Sequence, residues 1–155
     1  ASSLARMSEH PVDGFTTTRT IAASPERVWH ALIDAESFAS WFGTEQVAVP
    51  LSTLRWDARE GSEWSAQMVL PDDATIDWEG EFVRVDQPRK LAFTITDDAT
   101  NPQRDDVVFT LTASDGGGCA LTLAQSGGGL SPEQYEQAAA GWAGFVDVIE
   151  QIATR

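Results

Sequence analysis

Alternation of apolar and polar side chains dominates the middle of the chain. From Glu45 to Gln125, apolar residues recur at every second position in several runs, and Pro71–Asp73, Gln87–Arg89 and Asp115–Gly118 supply turn residues between them. A period of two places successive side chains on opposite faces of a strand. The runs therefore predict five consecutive strands in an antiparallel meander, with one apolar face and one acidic face.

Three further elements flank the meander. Phe15–Ala22 is rich in β-branched residues and predicts a first strand. Ser24 and Pro25 are typical of a helix start, and they predict a short amphipathic helix there. A second short helix is predicted over Ala35–Phe42, ending at Gly43.

The clearest helical pattern lies at the C-terminal end. Apolar residues recur there at three- and four-residue spacing after Ser131–Pro132, which predicts a helix of about 22 residues, or ~33 Å. It is the only element large enough to cover the apolar face of the sheet. The sequence thus predicts an α+β fold in which a curved antiparallel sheet wraps around the C-terminal helix. An apolar cavity at one end of such an arrangement is the default ligand site.

Composition and charge exclude several classes of binding partner. The chain has 155 residues and a formal net charge of −14, which argues against nucleic-acid binding. No apolar run reaches the ~20 residues that span a bilayer, so no membrane insertion is expected. The N-terminus lacks the apolar core of a signal peptide, and a cytoplasmic location is predicted. Residues 1–14 are expected to be a disordered or cloning-derived lead-in, and residues 15–155 a single domain.

Catalytic and metal-binding patterns are weak in this sequence. His10 and His30 have no partner at a meaningful spacing, and Cys119 predicts a small apolar strand residue. The acidic pairs Asp72–Asp73, Asp97–Asp98 and Asp105–Asp106 are predicted to be solvated turn residues rather than metal ligands. We therefore expect no catalytic residue, no metal and no cofactor.

Aromatic residues are the best candidates for ligand contact, because the chain has six Trp and seven Phe. The side chains expected near the interior either line a pocket or fill it. The polar candidates for orienting a ligand are Gln125 and Tyr135, together with Arg84, unless a bulge turns Arg84 outward. The apolar candidates are Trp41, Phe42, Trp64, Met68, Trp78, Phe109, Trp142 and Val146.

Several blocks together resemble one known family. They are Ser24–Trp29, Trp41–Phe42, Asp57-x-Arg59-x-Gly61, Gly80–Val83, Pro88–Thr94 and Gly141–Trp142. Over residues 15–153 the chain resembles the family of activators of heat-shock-chaperone ATPase, C-terminal-domain-like, within the SRPBCC superfamily of START-like and birch-pollen-allergen-like proteins. The resemblance implies the helix-grip fold. Gln125 stands where many members carry a His or Glu.

Three functions follow from these observations. The aromatic interior and the lack of catalytic groups favour binding of a small hydrophobic molecule that is lipid-, polyketide- or flavonoid-like. The superfamily resemblance implies, as the alternative, a polyketide cyclase, aromatase or dehydratase in which Gln125, Tyr135 or Arg84 orients the substrate. The family resemblance also implies a stress-related, co-chaperone-like protein with a chaperone partner. Besides a complex with a chaperone, we consider a homodimer of this chain.

Overall fold

A six-stranded antiparallel sheet and three α-helices are the main elements of the part of the chain that the structure describes. The structure is a computed structural model that describes residues 14–43 and 47–155. Its elements are β1 (Gly14–Ile21), α1 (Pro25–Ile33), α2 (Ala35–Phe42), β2 (Glu63–Val69), β3 (Thr75–Asp86), β4 (Lys90–Ile95), β5 (Asp105–Ala113), β6 (Cys119–Ser126) and α3 (Pro132–Ala153).

The order of strands in the sheet is β1-β6-β5-β4-β3-β2, and all neighbours are antiparallel. This arrangement confirms the predicted α+β meander, with both short helices after the first strand and the sheet curved around α3. Gly14 pairs with Ser126 and begins β1, whereas the rest of the predicted lead-in, residues 1–13, lies outside the described residues.

Both predicted helix starts are capped. The Ser24 hydroxyl accepts a hydrogen bond from the Arg27 backbone N–H at 3.3 Å. Ser131 caps α3 and exchanges hydrogen bonds with Gln134, whose side chain returns to the Ser131 N–H at 2.9 Å. This reciprocal arrangement satisfies two backbone donors that a helix start otherwise leaves unpaired.

Two tryptophans complete the C-terminal end of α1. The last carbonyls of a helix have no partner within it. Here the indole N–H of Trp41 donates to the carbonyl of Ala31, and the indole N–H of Trp56 donates to the carbonyl of Leu32, both at 2.9 Å. The end of α1 is therefore tied to the aromatic core by directional bonds as well as by packing.

Trp56 lies at the centre of that core. Its ring stacks on Phe38 with centroids 3.8 Å apart and meets the edge of Trp64 at 5.3 Å. Such aromatic contacts accompany the free energy gained by burying large rings. The sequence pattern did not point to Trp56, because it lies in an irregular segment before β2 that has no alternation.

A glycine allows a tryptophan to bridge three strands. Gly80 of β3 lies opposite Trp64 of β2, and the Trp64 indole N–H donates to the carbonyl of Thr94 in β4 at 2.9 Å. A Cβ on Gly80 would lie 2.5 Å from the Trp64 indole nitrogen and closer still to the Thr94 carbonyl oxygen. Only glycine leaves room for this bond.

We expect Gly80→Ala to lower the free energy of unfolding by about 1–3 kcal/mol, because the added methyl group must displace backbone. Gly144→Ala is the matched control, since an added Cβ there meets nothing within 4 Å and should raise stability by roughly 0.5–1 kcal/mol. Urea denaturation measures both. Equal stability of the Gly80→Ala variant and the wild type would contradict the close approach.

Candidate functional site

An apolar cavity of about 180 Å³ lies between the sheet and the helices α2 and α3. Helix α3 supplies almost half of its wall, and each of the other walls comes from a different element. The lining residues are Phe42, Met68, Trp78, Ile95, Gln125, Ala138, Gly141, Trp142 and Phe145. None of these side chains titrates, and only Gln125 carries a carboxamide.

The orientation of the Gln125 carboxamide is fixed by its partners. An indole N–H can only donate, so the atom that Trp142 meets at 2.7 Å is the amide oxygen Oε1. The amide nitrogen Nε2 therefore faces the other way, where it donates to Oδ2 of Asp105 at 2.8 Å. Gln125 thus holds a single orientation at the wall of the cavity.

Asp105 is a buried carboxylate, which corrects the prediction of a solvated turn residue. It is the first residue of β5 and is 5% exposed. Its side chain follows the inward alternation of Val107 and Phe109, whereas Asp106 points outward and is exposed. The other predicted turn acids, such as Asp72 and Asp97, are exposed and confirm the prediction made for them.

Three donors satisfy the Asp105 carboxylate. Besides Gln125, the hydroxyl of Tyr135 and the backbone N–H of Gly128 each donate to Oδ1 at 2.6 Å. A Cβ on Gly128 would lie 2.5 Å from that oxygen. The glycine-rich segment after β6 is therefore a turn that approaches a buried charge.

The Tyr135 hydroxyl acts as a donor in this network. Burial, with the hydrogen bond to Asp105 and its negative charge, raises the pKa of Tyr135. Tyr135 and Trp142 are seven residues apart and lie on one face of α3, so the helix supplies two donors to the same network. The hydroxyl itself is not part of the cavity lining.

Trp78 and Met68 form a second polar contact in the cavity wall. The Trp78 indole N–H meets the Met68 sulfur at 3.2 Å. A thioether is a weak acceptor, so this donor is only weakly satisfied. The remaining walls are hydrocarbon or aromatic.

A larger polar cavity of about 450 Å³ adjoins the apolar one. The two share Trp78, Ile95, Gln125 and Ala138 as lining residues, so we regard the larger one as the mouth. Its other walls carry three charged side chains, Asp97, Arg104 and Asp105, and several amide side chains. The remaining lining residues are Thr96, Asn101, Gln103, Gly128, Leu130, Gln134 and Gln137. Arg104 pairs with Glu79 at 3.1 Å, so its charge is already matched.

The predicted ligand-contact residues divide into two groups. Five of them line the apolar cavity: Phe42, Met68, Trp78, Gln125 and Trp142. The other five are buried in the core and are not part of that lining: Trp41, Trp64, Phe109, Tyr135 and Val146. Contact of either group with a ligand stays a prediction.

Four lining residues were not in the predicted set, namely Ile95, Ala138, Gly141 and Phe145. Ile95, Ala138 and Phe145 belong to the apolar runs of a predicted strand and of the C-terminal helix, so the periodicity already placed them on the inner face. Gly141 differs, because a glycine carries no side chain whose apolar or polar character would assign it to a face. A Cβ there would meet nothing within 4 Å, so Gly141 leaves open space at the cavity.

Arg84 lies away from the cavity. The pairing of β3 with β4 shifts register between Phe82 and Arg84, which is the bulge that the sequence left open. Arg84 is exposed and lies 3.7–3.9 Å from Asp86 and Glu60. Of the three side chains considered for orienting a ligand, only Gln125 lines the cavity.

Cys119 lies in the core, as the sequence predicts for a small apolar strand residue. Cys119 is buried at the start of β6, and burial raises the pKa of its thiol. Within residues 14–43 and 47–155, no cluster of His, Cys, Asp and Glu has the arrangement of a metal site. In the same ranges, no helix is both long and apolar enough to span a membrane. The cytoplasmic location stays a prediction.

Comparison with known proteins places this geometry in a family. The family described as Activator of Hsp90 ATPase homolog 1-like protein matches residues 22–154. The chain belongs to this family, which is part of the SRPBCC superfamily, and the resemblance seen in the sequence is confirmed. No curated protein matches the chain in sequence.

Solved structures share the fold. Protein CV1439 from Chromobacterium violaceum has a TM-score of 0.80 at 21% identity, over 92% of this chain and 98% of that one. The AHSA1 protein from Silicibacter pomeroyi has a TM-score of 0.77 at 21% identity, over 89% and 95%. Protein NE0264 from Nitrosomonas europaea has a TM-score of 0.77 at 20% identity, over 94% and 96%.

The raised pKa of Tyr135 predicts a pH dependence of stability. Unfolded tyrosine ionises near pH 10, while the folded side chain keeps its proton to higher pH. The free energy of unfolding should therefore fall as pH rises above about 10, by up to about 1.4 kcal/mol per pH unit. Tyr135→Phe should lack this contribution.

Urea denaturation of both proteins between roughly pH 9 and pH 11 measures the difference. At neutral pH the variant should be less stable by about 1–3 kcal/mol, because Asp105 loses one donor. Tyr135 is the one tyrosine in the chain, so tyrosinate absorbance reports its ionisation alone. Parallel pH profiles for the two proteins would contradict the shift.

Proposed function

We propose that this protein binds a small hydrophobic molecule in the cavity between the sheet and α3. The observation that supports the proposal is the composition of the cavity wall: no side chain in it is ionisable, four of the nine are aromatic, and the one carboxamide, Gln125, is held in one orientation. Ligand pockets typically combine such an apolar wall with a few placed polar groups that set orientation.

The volume limits what fits. A cavity of about 180 Å³ is close to the ~150 Å³ of an engineered cavity that accepts benzene. One aromatic ring therefore matches the apolar space. A lipid-, polyketide- or flavonoid-like ligand would have to extend into the polar mouth.

The wall favours binding over turnover. General acid–base catalysis requires a titratable group within hydrogen-bond reach of the substrate, and none of the lining side chains is titratable. Asp105 lines the mouth rather than the apolar cavity, and its oxygens are engaged by three donors. Such a carboxylate is suited to holding Gln125 in place.

Two glycines of α3 provide a matched test. Gly141 lines the cavity, whereas Gly144 does not, and an added Cβ meets nothing within 4 Å at either position. Gly141→Leu should fill cavity space and weaken binding of toluene by at least about tenfold, or ~1.4 kcal/mol. Gly144→Leu, with the same change in helix propensity, should bind toluene as the wild type does.

Titration followed by the indole N–H resonances gives the readout, because the Trp78 and Trp142 signals report on the cavity wall. We expect them to shift on addition of toluene, while those of Trp29 and Trp56 stay in place. If toluene and a panel of fatty acids, flavonoids and polyketides leave every indole signal of the wild type unchanged, the proposal is wrong. Equal weakening by both leucine variants would place the binding elsewhere.

A further inference from the structure

Gln125 is the one carboxamide in the apolar cavity wall, and its hydrogen-bonding groups are only partly used by the protein. A carboxamide has two N–H donors and two oxygen lone pairs. At Gln125, one N–H is directed to Asp105 and one lone pair receives the Trp142 indole. Among the described residues no other hydrogen bond reaches this amide, which leaves one N–H and one lone pair without a protein partner there.

A hydroxyl group matches what is left. It donates one hydrogen bond and accepts others, so one hydroxyl satisfies both remaining positions of Gln125. An ether or a carboxylate only accepts. A hydrocarbon ring leaves both positions of a partly buried amide unmatched, and unmatched buried polar groups are unfavourable.

Charge around the amide disfavours an anion. The Asp105 carboxylate lies 2.8 Å from the Gln125 nitrogen and is buried, where repulsion between like charges is weakly screened. Asp97 adds a second negative charge at the mouth, and the charge of Arg104 is matched by Glu79. An anion placed against Gln125 would therefore be repelled by the net negative charge of Asp105 and Asp97, although the Asp105 oxygens are hydrogen-bonded.

We propose that the cavity selects an uncharged single-ring molecule with one hydroxyl group, of the phenol class, and rejects the corresponding carboxylate. The inference rests on the proposed function and specifies its ligand. The ring occupies the apolar space of about 180 Å³, and the hydroxyl donates to Oε1 of Gln125 while accepting from its free N–H.

The test compares four ligands that differ only in the group on one ring: phenol, toluene, anisole and benzoate. Wild-type protein is titrated with each at neutral pH, and dissociation constants come from the indole N–H shifts of Trp78 and Trp142. We expect phenol to bind about threefold to tenfold more tightly than toluene or anisole, the equivalent of one net hydrogen bond. Benzoate should bind at least about tenfold more weakly than phenol.

Two variants assign the preference to the amide. Gln125→Leu should abolish the preference for phenol over toluene, because it removes both hydrogen-bonding positions while keeping a side chain of similar size. Met68→Leu is the control: it also changes the lining but touches no part of the amide, and it should keep the preference. If Gln125→Leu fails to fold, the ligand series on the wild type decides alone.

The outcomes separate the two proposals. Toluene binding without a preference for phenol, or benzoate binding as tightly as phenol, would overturn the inference and leave the proposed function in place. Failure of every ring compound and every larger ligand to bind would overturn both. Loss of the preference in Met68→Leu as well as in Gln125→Leu would show that it does not come from the amide.

Discussion

The requirement that a buried carboxylate be fully hydrogen-bonded organises one end of this fold. Asp105 sits on the inner face of the sheet, and removing one of its three donors would leave this buried charge only partly hydrogen-bonded in a poorly polar interior. The donors come from β6, from the turn after it and from α3, so one carboxylate sets the relative positions of three segments. The orientation of Gln125, and with it the polar character of the cavity wall, is a consequence of that requirement.

The other end of the fold depends on tryptophan N–H groups. Trp41 and Trp56 donate to the last carbonyls of α1, and Trp64 donates across the sheet to Thr94. Each indole combines a large apolar face with one directional donor. Together they hold the helices and the first strands of the meander at defined angles, and Phe42, which lines the cavity, is packed against Phe38 in that cluster with centroids 4.8 Å apart.

Periodicity was sufficient to predict the sheet, the helices and the face on which Gln125 lies. Asp105 shares the alternation of Val107 and Phe109, so its inward position was also readable, but the acidic pair with Asp106 looked like a turn. Trp56 could not be placed, because an irregular segment has no period. The cavity could not be predicted, because its volume is the space that packed side chains do not fill. The space beside Gly141 depends on how α3 packs against the sheet, which periodicity does not determine.

The carboxylate network has a consequence for the order in which the chain becomes native. Asp105, Gln125 and Gly128 belong to the last two strands and their turn, whereas Tyr135 and Trp142 arrive with α3. A sheet formed before the helix docks would present Asp105 to water. Docking of α3 is then the step that dehydrates the charge, replaces its water with the tyrosine hydroxyl and closes the cavity. Docking of α3 thus buries the carboxylate network and forms the cavity in the same step.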